Sequence, residues 1–207
     1  MARERFSRGH FYQEISYFPA FLKLKGRACL VIGGGAVAHR KAAALRGCGA
    51  RVTVVAPDLS AGLARLARAR KIRWVARRFR AGDLAGMELV VAATDDEQVN
   101  LRAAKAARRR HVWVNVVDQP ALCSFIAPSV VRRGRLTLAI STGGTSPALA
   151  KWIRRDLQRR YGPELARLLA RAGAARPAIH RRLPGAAQRK RLFEKALKAY
   201  LRILRMA

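Results

Sequence analysis

Three stretches of this chain combine residue types and spacings that could do chemistry. In VIGGGAVA, Gly33, Gly35 and Ala38 fall in the G-x-G-x-x-A spacing, after an apolar run and at the start of an Ala-rich one. There Gly33 permits a tight turn, Gly35 lets the backbone approach a pyrophosphate, and Ala38 lets a helix pack close to a strand. The helix N-terminus then offers unpaired N–H groups to the anion. A glycine loop that serves packing alone is the competing explanation. In VWVNVVDQP, residues 112–120, an apolar run stops at one carboxylate, Asp118, followed by Gln119 and Pro120. Such a residue is either a turn former or a group at the ligand crevice of a parallel sheet. In STGGTSP, residues 141–147, a second glycine loop runs into a helix. Ser141, Thr142, Gly143, Gly144 and Thr145 could grip a carboxylate or phosphate by the same physics, or form only a turn and a cap.

Other candidates are weaker. An Asp or Glu is expected at the end of the second strand to hold ribose hydroxyls, yet that strand ends VVAPDL, with Ala56 and Pro57 there and Asp58 later. Either Asp58 reaches back or main-chain groups hold the ribose. No Arg immediately follows to favour a 2′-phosphate, which favours NAD over NADP. ATDD, residues 93–96, ends the fourth strand beside the same crevice; Thr94 and Glu97 fit a capping box, and the loop could touch a cofactor through its backbone. Arg40 and Lys41 either face solvent or pair with anions. His10, His39, His111 and His180 are scattered without ligand-spaced neighbours, so no metal centre is expected.

The elements that must position these residues alternate. ACLVI, RVTVVAPD, IRWVARRF, MELVVAATDD and HVWVNVVD read as strands, separated by helical AVAHRKAAALRGCGA (closed by Gly47 or Gly49), LSAGLARLARARK and EQVNLRAAKAARRR. Strands interleaved with helices mean an α/β fold, a Rossmann-like doubly wound parallel sheet, here over residues 1–120. Over 121–145, SFIAPSVVRRGRLTLAIST reads as two short strands joined at RRG. Residues 146–207 are helical, with Ser146 as N-cap and Pro147 at the first helical position. Leu149, Trp152, Ile153 and Leu157 fall on one face there, and a break is expected at ARPAIHRRLPGA.

The chain has 207 residues, with 43 Lys+Arg against 12 Asp+Glu, a net charge of +31. Residues 151–207 hold 17 basic and 3 acidic residues. Such a field attracts polyanions, but few aromatics accompany the basic runs and no nucleic-acid recognition motif is present. No apolar run is long enough to span a membrane, and the charged N-terminus lacks a signal peptide's apolar segment, so a cytoplasmic location is expected. Cys29, Cys48 and Cys123 are odd in number and far apart, which suggests neither disulfides nor a metal site but small apolar packing residues.

Taken together, YFPAFLKLKGRACLVIGGGAVAHRKAAAL, VVAPD, AATDDEQVN, NVVDQP, SFIAPSVV and STGGTSPALAKWIR closely resemble the precorrin-2 dehydrogenase/sirohydrochlorin ferrochelatase family, the module that also begins siroheme synthase. The match covers roughly residues 15–160, in the family's order and spacing. The resemblance implies an NAD-binding Rossmann domain, a dimerisation segment and a helical C-terminal domain in an intertwined homodimer. It implies oxidation of precorrin-2 to sirohydrochlorin with NAD+, followed in many members by Fe2+ insertion to give siroheme. By position, NAD contacts fall on Ala36, Val37, Pro57 and Asp58, and the catalytic aspartate is Asp118. The tetrapyrrole's eight carboxylates would give the positive charge a use.

Overall fold

The computed structural model describes residues 17–206; His10 and the N-terminal aromatic stretch before Tyr17 lie outside them. Five short runs form strands; all but the third, a largely exposed edge strand, are mostly buried and read as almost continuously apolar. They are β1 (Ala28–Ile32), β2 (Arg51–Val55), β3 (Arg73–Val75), β4 (Leu89–Ala92) and β5 (Trp113–Val116). All pair in parallel, in the order β3-β2-β1-β4-β5. The connecting helices are α1 (Ala36–Gly47), α2 (Ala61–Arg68) and α3 (Glu97–Arg109). On one face Leu30, Ile32, Val90, Ala92, Val114 and Val116 meet Ala103, Ala104 and Ala107 of α3. On the other, Cys29, Val31, Val52, Val54 and Val91 meet Ala38 and Ala42 of α1 and Leu63 of α2. The alanines are what let these helices lie close to the sheet. The order in which successive strands are added reverses between β1 and β4, so the carboxyl ends of those two strands open a crevice.

The free edge of β5 is closed by side chains. The Ser124 hydroxyl accepts from the Val114 N–H at 2.8 Å, and the Ser124 N–H donates to the Val114 carbonyl at 2.8 Å. One step on, Cys123 Sγ accepts from the Val116 N–H at 3.2 Å. Residues 121–127 thus stand in for a sixth strand, and Cys123 is a bonding residue as well as an apolar one. Cys29 is wholly buried, and its thiol is pushed up to about 11, first by desolvation and then by Glu88 and Cys48. Because Val114 is wholly buried, Ser124→Ala leaves its N–H unpaired. The expected cost is about 1–3 kcal/mol, read as a lower urea midpoint at unchanged slope.

Two expectations for this unit need correction. The cap of α3 is Asp96, whose side chain accepts from the Val99 N–H, and not the Thr94–Glu97 box. Thr94 Oγ1 instead accepts from the Asp96 N–H at 3.2 Å, because β4 ends at Ala92 and the helix starts two residues later than the box requires. The third strand, expected over IRWVARRF, pairs only over Arg73–Val75. After it, Arg77 turns back and binds both oxygens of Asp83, at 2.9 and 2.5 Å. Those bonds, with the Arg80 N–H, hold the Asp83 carboxyl below its usual range, against the effect of burial. A depressed carboxyl contributes stability above its unfolded pKa of roughly 4 and loses it as pH falls through the folded value. The thermal midpoint of Asp83→Asn is therefore expected below wild type at pH 7, the gap closing as pH drops below 4.

A second compact unit begins at Pro128. Its antiparallel hairpin joins β6 (Ser129–Arg133) to β7 (Leu136–Ile140), turning at Gly134, where φ is +58°. Three helices follow, α4 (Pro147–Arg160), α5 (Pro163–Arg182) and α6 (Ala186–Met206). Ser146 caps α4 by accepting from the Leu149 N–H, with Pro147 at the first helical position. The expected single apolar face of α4 is split. Ala150 is buried and Ile153 and Leu157 half-buried, whereas Leu149 and Trp152 are exposed. The break expected within ARPAIHRRLPGA falls at its C-terminal end, since α5 runs through Pro177 to Arg182 and stops before Pro184–Gly185. Gly173, four residues before Pro177, has open surroundings, which lets the backbone yield to the ring.

Candidate active site

The three glycines after β1 have different reasons to be glycine. At Gly33, with φ +114°, a Cβ would lie 2.2 Å from the Ala93 carbonyl oxygen. At Gly34 it would lie 1.7 Å from the Asp58 carbonyl oxygen. Both therefore serve backbone-to-backbone approach between the ends of β1, β2 and β4. Gly34 did not stand out in the sequence; only its place in GGG pointed to it. Gly35 differs. Its φ of −79° suits any residue, and a Cβ there would meet nothing within 4 Å. The fold does not need a glycine at 35, and the missing side chain leaves the start of α1 open to an approaching group.

Ala36 and Val37 form the first turn of α1, which has no acidic residue and no side-chain cap, so its leading N–H groups face outward unpaired. Before them lies a cavity of about 520 Å³ lined by Gly33, Gly35, Pro57, Asp58, Thr94 and Arg78, among others. The β2 side is held by the Trp74 indole N–H, which donates to the Ala56 carbonyl at 2.9 Å. The β4 side is held by Asn100 Nδ2, which donates to the Thr94 carbonyl at 3.0 Å. An elongated dinucleotide fits this arrangement, with its pyrophosphate over Gly35 and α1 and its adenosine toward Pro57 and Asp58. Arg78, brought in from beyond β3, is a lining residue that a search after β2 could not find.

Asp118 sits two residues beyond β5, at the same carboxyl end of the sheet. It is exposed, and its φ is +58°, a left-handed conformation that is uncommon outside glycine, asparagine and aspartate. Lys41, half-buried on α1, has its ammonium pKa lowered by burial and by Arg40, with Asp118 and Cys123 acting in the opposite sense. A cation thus stands within electrostatic reach of Asp118. Among the described residues no group of His, Cys, Asp and Glu could hold a metal ion, and no helix is long and apolar enough to cross a membrane.

The second glycine loop belongs to the second unit. Gly143 and Gly144 have φ of +64° and +91°, so the turn needs both. The Ser141 hydroxyl accepts from the Gly143 N–H at 3.0 Å, while Thr142 Oγ1 donates to the Ser146 carbonyl and accepts from its N–H. The Thr145 N–H donates to the Thr142 carbonyl at 3.0 Å.

Comparison with known proteins agrees with this geometry. A family model described as "Putative NAD(P)-binding" matches residues 20–129, and one described as "Sirohaem biosynthesis protein central" matches 133–160. Siroheme synthase of Thioalkalivibrio sulfidiphilus is 43% identical over 183 residues, covering 88% of this chain and 37% of that protein. Siroheme synthase of Methylobacillus flagellatus is 43% identical over 176 residues, covering 85% and 38%. The chain therefore spans well under half the length of these relatives. The solved structure of SirC, precorrin-2 dehydrogenase, superposes with a TM-score of 0.75 at 28% identity, covering 92% of this chain and all of that one. With the cavity at the glycine loop under the first model, the sirohaem biosynthesis model over residues 133–160 and these relatives, the chain belongs to the precorrin-2 dehydrogenase/sirohydrochlorin ferrochelatase family.

Proposed function

We propose that the protein oxidises precorrin-2 to sirohydrochlorin with NAD+ and then promotes Fe2+ insertion into the product to give siroheme. One observation carries the reading: the cavity before α1 and the carboxylate that follows β5, Asp118, share the carboxyl end of one parallel sheet. NAD, when bound, supplies a hydride acceptor. The first turn of α1, at Ala36 and Val37, anchors its pyrophosphate, Pro57 and Asp58 bound its adenosine, and Thr94 flanks the path to the nicotinamide. Asp118 takes the proton that leaves as the ring system loses its hydride. In chelation the macrocycle exchanges two pyrrole protons for Fe2+, and the same carboxylate can accept a proton there. Iron is a substrate in this scheme, held by the tetrapyrrole. The loop from Ser141 to Thr145 is assigned to the substrate's carboxylates. With its Ser141 and Thr142 hydroxyls engaged in the turn, it offers mainly backbone N–H groups and the Thr145 side chain.

The test is anaerobic incubation with precorrin-2 and NAD+, then Fe2+, followed by absorbance. Sirohydrochlorin and then siroheme are expected. Sirohydrochlorin without siroheme would leave a dehydrogenase only, and no NAD+ turnover would reduce the protein to an NAD-sensing module. A homodimer in the cytoplasm, where NAD and reduced iron are at hand, completes the proposal. The two-stranded sheet β6–β7 is too small to stand alone, and Leu149 and Trp152 leave apolar surface uncovered, Trp152 being 59% exposed. Light scattering at micromolar concentration is expected to give twice the chain mass, and Trp152→Glu to shift it toward the monomer.

A further inference from the structure

We infer that Arg78 makes the adenosine end of the cofactor cavity receptive to a 2′-phosphate, so that this protein binds NADP as well as NAD. The inference rests on the cofactor reading above. In sheets of this kind the choice between the two is made beside the end of β2. A carboxylate there takes the ribose hydroxyls and repels a phosphate, whereas an arginine accommodates the phosphate. Here β2 ends at Val55, and the next two positions, the buried Ala56 and then Pro57, carry no carboxylate. Asp58 follows, with its carbonyl held over Gly34 and its side chain at the exposed rim. The position that usually excludes the phosphate is apolar.

Arg78 lines the same cavity as Pro57 and Asp58. It arrives there through strand pairing: Val55 of β2 lies beside Val75 of β3, so the turn after β3 stands next to the turn after β2. That turn is fixed. Arg77 Nη1 donates to the Arg78 carbonyl at 3.0 Å while its guanidinium clasps Asp83, which also accepts from the Arg80 N–H at 2.8 Å. Arg77 is thus engaged in structure, and Arg78 is not. Among the described residues the Arg78 guanidinium makes no hydrogen bond or ion pair, and its side chain is exposed. A planar fork of donors with no internal partner, on a pinned backbone, suits two oxygens of a phosphate monoester. Asp58 in the same cavity gives the unphosphorylated ribose a partner too. The result is tolerance of both dinucleotides rather than a switch from one to the other.

The experiment is fluorescence titration of the full chain with NADH and with NADPH, for wild type, Arg78→Ala and Arg78→Lys. Wild type is expected to bind NADPH within about tenfold of NADH, and Arg78→Ala to lower the NADPH-to-NADH affinity ratio by roughly tenfold, with Arg78→Lys between. Added salt is expected to weaken NADPH more than NADH, because the extra contact is ionic and exposed. Wild-type preference for NADH beyond about tenfold, or equal losses of both ligands in Arg78→Ala, overturns the inference. Because Arg78 is exposed, its variants are expected to keep the wild-type fold, which circular dichroism checks. If neither dinucleotide binds wild type, it is the cofactor reading itself that fails.

Discussion

Gly35→Asp is expected to abolish NAD-dependent oxidation while the protein remains folded. The structure separates these effects unusually well. The backbone at Gly35 is ordinary, and a side chain there meets no protein atom within 4 Å, so the substitution costs the fold little. In the proposed binding mode it meets the pyrophosphate, which it confronts with bulk and a like charge at the point where the leading N–H groups of α1 would receive it. Juxtaposed like charges cost several kcal/mol, so NAD affinity should fall by at least about 100-fold. Gly33→Ala makes the complementary control. Its Cβ would strike the Ala93 carbonyl, so it should lower the thermal midpoint first, whatever happens to the cofactor. Equilibrium titration with NADH beside thermal unfolding reads both. Undiminished NADH affinity in Gly35→Asp would refute the loop's role. Iron insertion into supplied sirohydrochlorin should survive in this variant if chelation does not use the dinucleotide.

Why Gly33 and Gly35 were legible in the sequence while Arg78 and Gly34 were not follows from the fold. The glycine spacing, the apolar strands and the alanine helix faces are local signals, each set by the period of one element. They gave the order of strands and helices and the position of the crevice. Arg78 enters the cleft only because β2 and β3 pair in register, a contact between residues about twenty positions apart. Gly34 is required by a carbonyl from the β2–α2 turn, again a long-range contact. The α3 cap was misplaced for a different reason. Thr94 and Asp96 are both good capping residues, and which one caps depends on where β4 stops, a point that composition does not mark. Cys123 read as apolar because a thiol usually is; its hydrogen bonds exist only because β5 is an edge strand that lacks a neighbour.

Asp118→Asn is expected to cost nearly all turnover and almost no stability. Asp118 follows the fifth strand by two residues as an exposed carboxylate with Lys41 in electrostatic reach, in a chain with 12 acidic residues against 43 basic ones. Asparagine keeps the size, the polarity and the tolerance of a left-handed backbone that φ of +58° demands, but it cannot take up a proton. Losing a positioned base slows proton transfer by about 10²–10⁴-fold, and that is the loss expected in sirohydrochlorin formation. Alanine removes the base too but tolerates this backbone poorly, so Asp118→Ala should be equally inactive and less stable by about 1 kcal/mol. Glycine separates the two effects. Asp118→Gly should be as inactive as the others yet at least as resistant to unfolding as wild type, because the left-handed conformation carries no penalty for it. NAD affinity should change little in all three, since the proposed anchor of the pyrophosphate, the first turn of α1, is a separate element. The measurements are anaerobic turnover, NADH titration and thermal midpoint on each purified variant. Near-wild-type turnover in Asp118→Asn would return this residue to the role of a turn former.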